Sequence, residues 1–107
     1  MRLTSEHGAE SLASAPTEFV KLYEHGSLVV EYYAPFGVDK QTPHTRDELY
    51  VIASGTGEFV FGDKQVSFKP HDVLFVPARV EHRFVNFTED FATWVFFYGP
   101  EGGEATL

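Results

Sequence analysis

Short apolar runs alternate with turn-forming residues along most of the chain. The first pair, at 18–24 and 27–34, is joined at His25-Gly26 as a hairpin. Pro35 and Gly37 then open a polar loop that runs to Pro43. Residues 49–53 are rich in β-formers and stop at Ser54-Gly55-Thr56-Gly57. The runs 58–61 and 65–68 flank Gly62-Asp63-Lys64, a three-residue hairpin connection containing glycine. Lys69-Pro70-His71-Asp72 turns the chain again, 73–76 follows, and Pro77 breaks it. Runs at 81–87 and 91–98 complete the series. This pattern predicts about eight short strands, with no sustained helical period after residue 17. Strands at such spacing make a sandwich or a closed barrel, so the fold class is all-β.

The ends read differently. Residues 1–16 are small and polar and close on Ser14-Ala15-Pro16, which predicts a flexible N-terminal arm. Residues 17–99 form the domain, and 100–107, opening Pro100-Glu101-Gly102-Gly103-Glu104, form a C-terminal tail unsuited to regular structure. A chain of 107 residues fits one domain. Its 11 Phe, 5 Tyr and single Trp supply a core.

Charge and composition then narrow the chemistry. A net charge of −8 argues against nucleic acid and against an anionic membrane surface. No stretch approaches the roughly 20 apolar residues of a membrane span. Met1-Arg2-Leu3-Thr4-Ser5-Glu6-His7 lacks the apolar core of a signal peptide, so a cytoplasmic location is the simplest expectation. Without cysteine there is neither a disulfide framework nor a thiolate site. Any metal must be held by histidine, carboxylate or neutral oxygen.

Two segments carry candidate ligands, Pro43-His44-Thr45-Arg46-Asp47-Glu48 and Val76-Pro77-Ala78-Arg79-Val80-Glu81-His82-Arg83-Phe84-Val85-Asn86. Residues an even number apart on a strand share a face, so His44 and Glu48 can both point inward. His82, opening a later strand, completes a set of two His and one carboxylate. Such a set leaves coordination positions open and suits Fe(II) or a neighbouring divalent ion. Asp47 alternates with Glu48 and is expected to face outward.

These segments resemble the two motifs of the cupins. His44, Glu48 and, after six residues, Gly55 match the second His, the Glu and the Gly of the first motif. Pro77, His82 and Asn86 match the second motif in register, and the resemblance covers roughly residues 28–98. Runs such as Pro-His-Thr-Arg-Asp-Glu-Leu-Tyr and Phe-Tyr-Gly-Pro-Glu-Gly-Gly-Glu are similar to those of a group of short bacterial cupins. The resemblance implies a double-stranded β-helix (jelly-roll) barrel over 17–99. It implies one divalent metal ion, Fe(II), Zn, Mn or Ni, held by His44, Glu48 and His82. Thr42 stands where the first motif has its first His, and His71 and Arg79 replace glycines of the second. Gln41 or Thr42 is the candidate fourth ligand, since a Gln ligand occurs among related phosphomannose isomerases.

The function this implies is a metal-dependent enzyme acting on a small molecule, dioxygenase-like or isomerase- or lyase-like. Arg46 and Tyr50 are the candidate catalytic residues, both sharing parity with His44 and Glu48. The alternative is a non-catalytic cupin that binds or senses a small ligand or metal, and a degenerate site that has lost metal affinity also stays open. His7, His25 and His71 read as solvated, and Arg79 and Arg83 as surface ion-pairing residues rather than an anion-attracting collar, with Arg46 the exception that an unbroken strand places beside His44 and Glu48. Asn86 reads as a turn residue. Cupins commonly dimerise, and residues 19–22 and 27–33 are the expected homodimer surface.

Overall fold

The computed structural model describes residues 1–105. Its strands are β1 (Phe19–His25), β2 (Leu28–Tyr33), β3 (Asp47–Ser54), β4 (Gly57–Phe61), β5 (Lys64–Phe68), β6 (Val73–Val76), β7 (His82–Val85) and β8 (Ala92–Tyr98). They form two antiparallel sheets, one ordered β1-β2-β8-β3-β6 and one ordered β5-β4-β7. The all-β expectation holds. The β4–β5 connection is tighter than expected, because Lys64 already belongs to β5 and pairs with Phe61.

Alternation along the strands sets the inner face. Glu48 lies opposite Val76 on one side and Phe97 on the other, and Tyr50 lies opposite Leu74 and Val95. Between the sheets, Tyr33, Tyr50, Ile52, Phe59, Phe68, Phe84 and Phe91 form most of the buried core. Phe84 is its hub, with ring centroids 4.7 Å from Phe59, 4.9 Å from Tyr50 and 4.7 Å from Phe91. Such tilted and edge contacts contribute about 0.5–1.5 kcal/mol each beyond the area they bury. The larger sheet outreaches the smaller one, and a cavity lies against its β1–β2 side.

The N-terminal segment departs from expectation. Instead of an arm over 1–16, Ser5–Ala13 forms helix α1, capped by Thr4, whose hydroxyl accepts from the His7 N–H at 3.1 Å. It packs on β1 and β2, with Gly8 against Tyr32; a Cβ on Gly8 would sit 2.7 Å from the ring. A helix this short gains its stability from docking rather than from propensity, and so leaves little periodic signal. It also occupies one face of the strands expected to pair two copies. Among the described residues no helix is long and apolar enough to cross a membrane.

The tail is tied down as well. The Glu104 and Ala78 N–H groups donate to the Asp47 carboxylate at 2.8 and 2.9 Å, and the Gly102 N–H donates to the Thr45 carbonyl. Asp47 therefore points away from Glu48 as parity requires, yet is buried beneath the tail rather than solvated.

His71 and Arg79, which stand at motif-glycine positions, keep a glycine-like backbone with φ of 77° and 67°. The left-handed region disfavours a residue with a Cβ by about 1–2 kcal/mol. Glycine's greater unfolded-state freedom offsets part of this, about 0.5–1 kcal/mol. Both side chains are exposed, and the hydrogen bonds here, Arg79 N–H to the His44 carbonyl and His71 N–H to the Ile52 carbonyl, are made by the backbone. Arg79→Gly and His71→Gly should each stabilise the protein by up to about 1 kcal/mol, a rise of a few degrees in Tm. Thermal melts showing a loss at both positions would contradict this account of the backbone.

Candidate functional site

The two motif segments meet at one place. His44 lies in the loop before β3, Glu48 projects inward from β3, and His82 opens β7 in the opposite sheet. The Arg79 N–H to His44 carbonyl bond, 2.6 Å, ties the segments together. One ligand atom from each of the three side chains lies within 4.8 Å of the others.

The hydrogen bonds around this cluster leave lone pairs facing each other. His82 Nδ1 lies 2.9 Å from the Val80 carbonyl, so Nδ1 carries the proton and the Nε2 lone pair turns inward. Glu48 is 1% exposed, and neither of its oxygens accepts a hydrogen bond. Its Oε1 does lie 2.9 Å from His82 Nε2, a contact that becomes an ion pair only when His82 is protonated. Gln41 Oε1 also faces His82 Nε2, at 3.3 Å, and accepts from the Tyr50 hydroxyl at 2.9 Å. A buried carboxylate without partners is costly unless a cation or donors compensate it. Convergent nitrogen and oxygen lone pairs with no donor between them are the surroundings a divalent cation requires.

Protonation follows the same surroundings. Burial holds the His44 imidazole below its ordinary value of 6.5, against the pull of Glu48. At His82 burial also disfavours the cation, but the Glu48 carboxylate and the Val80 carbonyl outweigh it and raise the pKa. Burial, reinforced by the Glu48 charge, pushes the Tyr50 phenol well above its usual range, so it remains a proton donor.

A cavity of about 510 Å³ opens onto the cluster, with Glu31, Tyr33, Thr42, Val95 and Phe97 in its wall and His44 and Glu48 at its inner end. This is the size of a small-ligand site.

The other candidates fall elsewhere. Arg46 precedes the first residue of β3, so strand parity does not reach it. Its guanidinium donates to the carbonyls of Ser27 and Gly99 and joins the β1–β2 turn to the end of β8. Arg79 and Arg83 are exposed, and among the described residues neither makes an ion pair. Thr42 is exposed at the cavity wall, while Gln41 is the neighbour that reaches the cluster. His7, His25 and His71 are exposed. Asn86 takes φ 52° and donates to Glu58 at 2.9 Å, the turn role expected of it.

Three residues near the site carried no sequence signal. Asp39 is 2% exposed and accepts from the Tyr33 hydroxyl, the Gln41 backbone and side chain, and the Phe84 N–H. Tyr33 and Glu31 read only as members of an apolar strand, although the face they share with the cavity follows from their even spacing.

Comparison with known proteins agrees with this architecture. The family model Cupin_2, cupin domain, matches residues 29–98. An uncharacterised protein from Streptomyces coelicolor is 36% identical over 63 residues, 59% of this chain and 60% of that protein. The match thus takes in about three-fifths of the relative's length. The fold is similar to a cupin superfamily protein from Desulfitobacterium hafniense DCB-2, at TM-score 0.65 and 20% identity, over 87% of this chain and 89% of that one. It is also similar to the DMSP lyase DddQ from Ruegeria pomeroyi DSS-3, at TM-score 0.61 and 27% identity, over 76% of this chain and 46% of that one.

Proposed function

The chain belongs to the cupin family, and from that premise we propose that it is a metal-dependent enzyme acting on a small molecule held in the cavity above His44, Glu48 and His82. The observation that carries this reading is the buried Glu48 carboxylate, unpartnered and facing two imidazoles. His44, Glu48 and His82 would hold the metal, with the Gln41 oxygen as fourth donor in place of the motif histidine. Two nitrogens with carboxylate and amide oxygen suit Fe(II), Mn, Zn or Ni. When bound, such an ion supplies Lewis-acid polarisation of a substrate oxygen or, if redox-active, reaction with O₂.

The chain's own residues do the rest. His82 is fixed in its metal-ready tautomer by the Val80 carbonyl. Tyr50, named from the sequence as a catalytic candidate, directs its proton at Gln41 and so shapes the ligand set rather than reaching substrate. Val95 and Phe97 exclude water from one wall of the cavity, while Glu31 offers a carboxylate to a donor group of the substrate. Similarity to a DMSP lyase supports the lyase-type alternative among the reaction classes, with this chain matching less than half of that protein. Pairing into a homodimer and a cytoplasmic location belong to the same reading.

The test begins with metal analysis of the purified protein. Reconstitution with Fe(II), Mn, Zn and Ni follows, with assays of O₂ uptake and product formation on diketones, phenols, keto acids and DMSP. Turnover that disappears in His82→Ala is the expected result. Metal-replete protein inert across the panel would favour a non-catalytic binding module, and protein that cannot be loaded with metal would sink both.

A further inference from the structure

Gln41 has an amide, and an amide has two ends. Only its oxygen can bind a cation; turned over, it presents hydrogens to His82 Nε2 instead. In the structure the choice is made by a residue outside the cluster. Gln41 Nε2 donates to Asp39 Oδ2 at 2.6 Å, and the Gln41 N–H donates to Asp39 Oδ1 at 3.1 Å. Reversing the amide would press its oxygen against a carboxylate oxygen at that same 2.6 Å, acceptor against acceptor. The Tyr50 hydroxyl does not decide the matter alone, because a hydroxyl can donate to the oxygen or accept from the nitrogen.

Asp39 is itself held from two directions. The Tyr33 hydroxyl on β2 donates to Oδ1 at 2.6 Å, and the Phe84 N–H on β7 donates to Oδ2 at 2.8 Å. Phe84 lies two residues after His82 on the same strand. One buried carboxylate therefore sets the loop that carries Gln41 against the strand that carries His82.

The geometry points to Asp39 as a positioning residue that locks the Gln41 amide oxygen toward His44, Glu48 and His82, making a glutamine serve where the motif has a histidine. This rests on the metal-binding reading above. Its consequence is a ligand set richer in oxygen than one built on a third imidazole, which favours harder ions such as Mn(II).

The experiment is a double-mutant cycle read as Mn(II) dissociation constants, by titration calorimetry or by the electron paramagnetic resonance of free Mn(II). Asp39→Asn keeps the shape but leaves one carbonyl oxygen for the two backbone N–H groups and the Gln41 amide, so the amide loses its fixed acceptor and is free to reverse. Outer-shell partners of metal ligands typically control affinity by about 10–100-fold, and that loss is expected. Gln41→Leu should lose affinity by a similar factor. In the Gln41→Leu background Asp39→Asn should cost nothing further, since it acts through an amide no longer present. A merely structural role for Asp39 would lower affinity by the same factor in both backgrounds, and that result overturns the assignment. So does wild-type affinity in either single variant. Wild-type protein that binds no metal overturns the metal reading itself, a different outcome from binding that ignores Asp39. If Asp39→Asn does not fold, side-chain amide NMR of ¹⁵N-labelled wild-type protein decides. Slow exchange of the Gln41 amide proton held by Asp39 supports the lock, and rapid exchange of both protons overturns it.

Discussion

Glu48→Gln should make the metal-free protein more stable while removing its capacity to bind metal. The carboxylate is buried and accepts no hydrogen bond, so in the absence of a cation it opposes folding. A glutamine of the same shape carries no charge and can donate to the inward lone pair of His82. The gain is about 1–3 kcal/mol, the usual penalty of an unsatisfied buried polar group. Metal affinity should fall by at least about 100-fold, the upper end of what outer-shell partners control, since a direct ligand is lost.

The gain should depend on pH in a definite direction. In the wild-type protein the His82 pKa is raised above its ordinary 6.5. A base with a raised folded pKa contributes stability that is complete below its unfolded value and is lost as pH rises through the folded value. Protonated His82 thus compensates Glu48 fully below about pH 6.5, and that compensation is lost progressively above 6.5 as pH rises through the raised folded value. The advantage of Glu48→Gln therefore widens as pH rises above 6.5. Urea unfolding with chelator at pH 6 and pH 8 measures it. A variant that is less stable than wild type at pH 8, or that still binds metal normally, would contradict the unpartnered carboxylate.

Gly55→Ala should be the most damaging small substitution in the barrel. Gly55 has φ 83°, and a Cβ there would lie 2.6 Å from the Phe91 Cα and 2.7 Å from the Thr88 hydroxyl. The left-handed backbone contributes about 1–2 kcal/mol against alanine. Forcing an atom into close-packed backbone adds roughly 1–3 kcal/mol. Less the roughly 0.5–1 kcal/mol returned by glycine's greater unfolded-state freedom, the sum is about 1–4.5 kcal/mol, a large share of the roughly 5–15 kcal/mol that holds an ordinary domain together. Gly62→Ala is the control, because Gly62 has φ 58° but nothing within 4 Å of its Cβ. It should show the backbone part alone. Equal losses at the two positions, measured by urea midpoints, would refute the steric part.

The strands were legible because each buries one face and turns at Gly, Pro or Asx, which alternation and punctuation record directly. The cluster was legible for a related reason, since His44, Glu48 and His82 lie in two motifs with a fixed relation to strand starts. What parity could not supply was where a strand begins. Arg46 was assigned to the inner face on an unbroken strand, but β3 starts at Asp47 and Arg46 bonds to carbonyls outside the cluster. Asp39 was invisible because its importance lies in long-range partners, Tyr33 and Phe84, that only the folded topology brings to it. The N-terminal helix left no trace for the converse reason. Its stability comes from Tyr32, far along the chain, and not from its own residues.

The unequal widths of the two sheets set the outer cavity wall apart from the His44, Glu48 and His82 cluster. The residues proposed to hold an ion come from β3, β7 and the loop between β2 and β3. Residues of the outer cavity wall, among them Thr17, Phe19 and Glu31, lie on β1, on β2 or just before β1, at one edge of the wider sheet. Diversification confined to positions 17, 19 and 31 should therefore alter the choice of small molecule while leaving the His44, Glu48 and His82 cluster as it is.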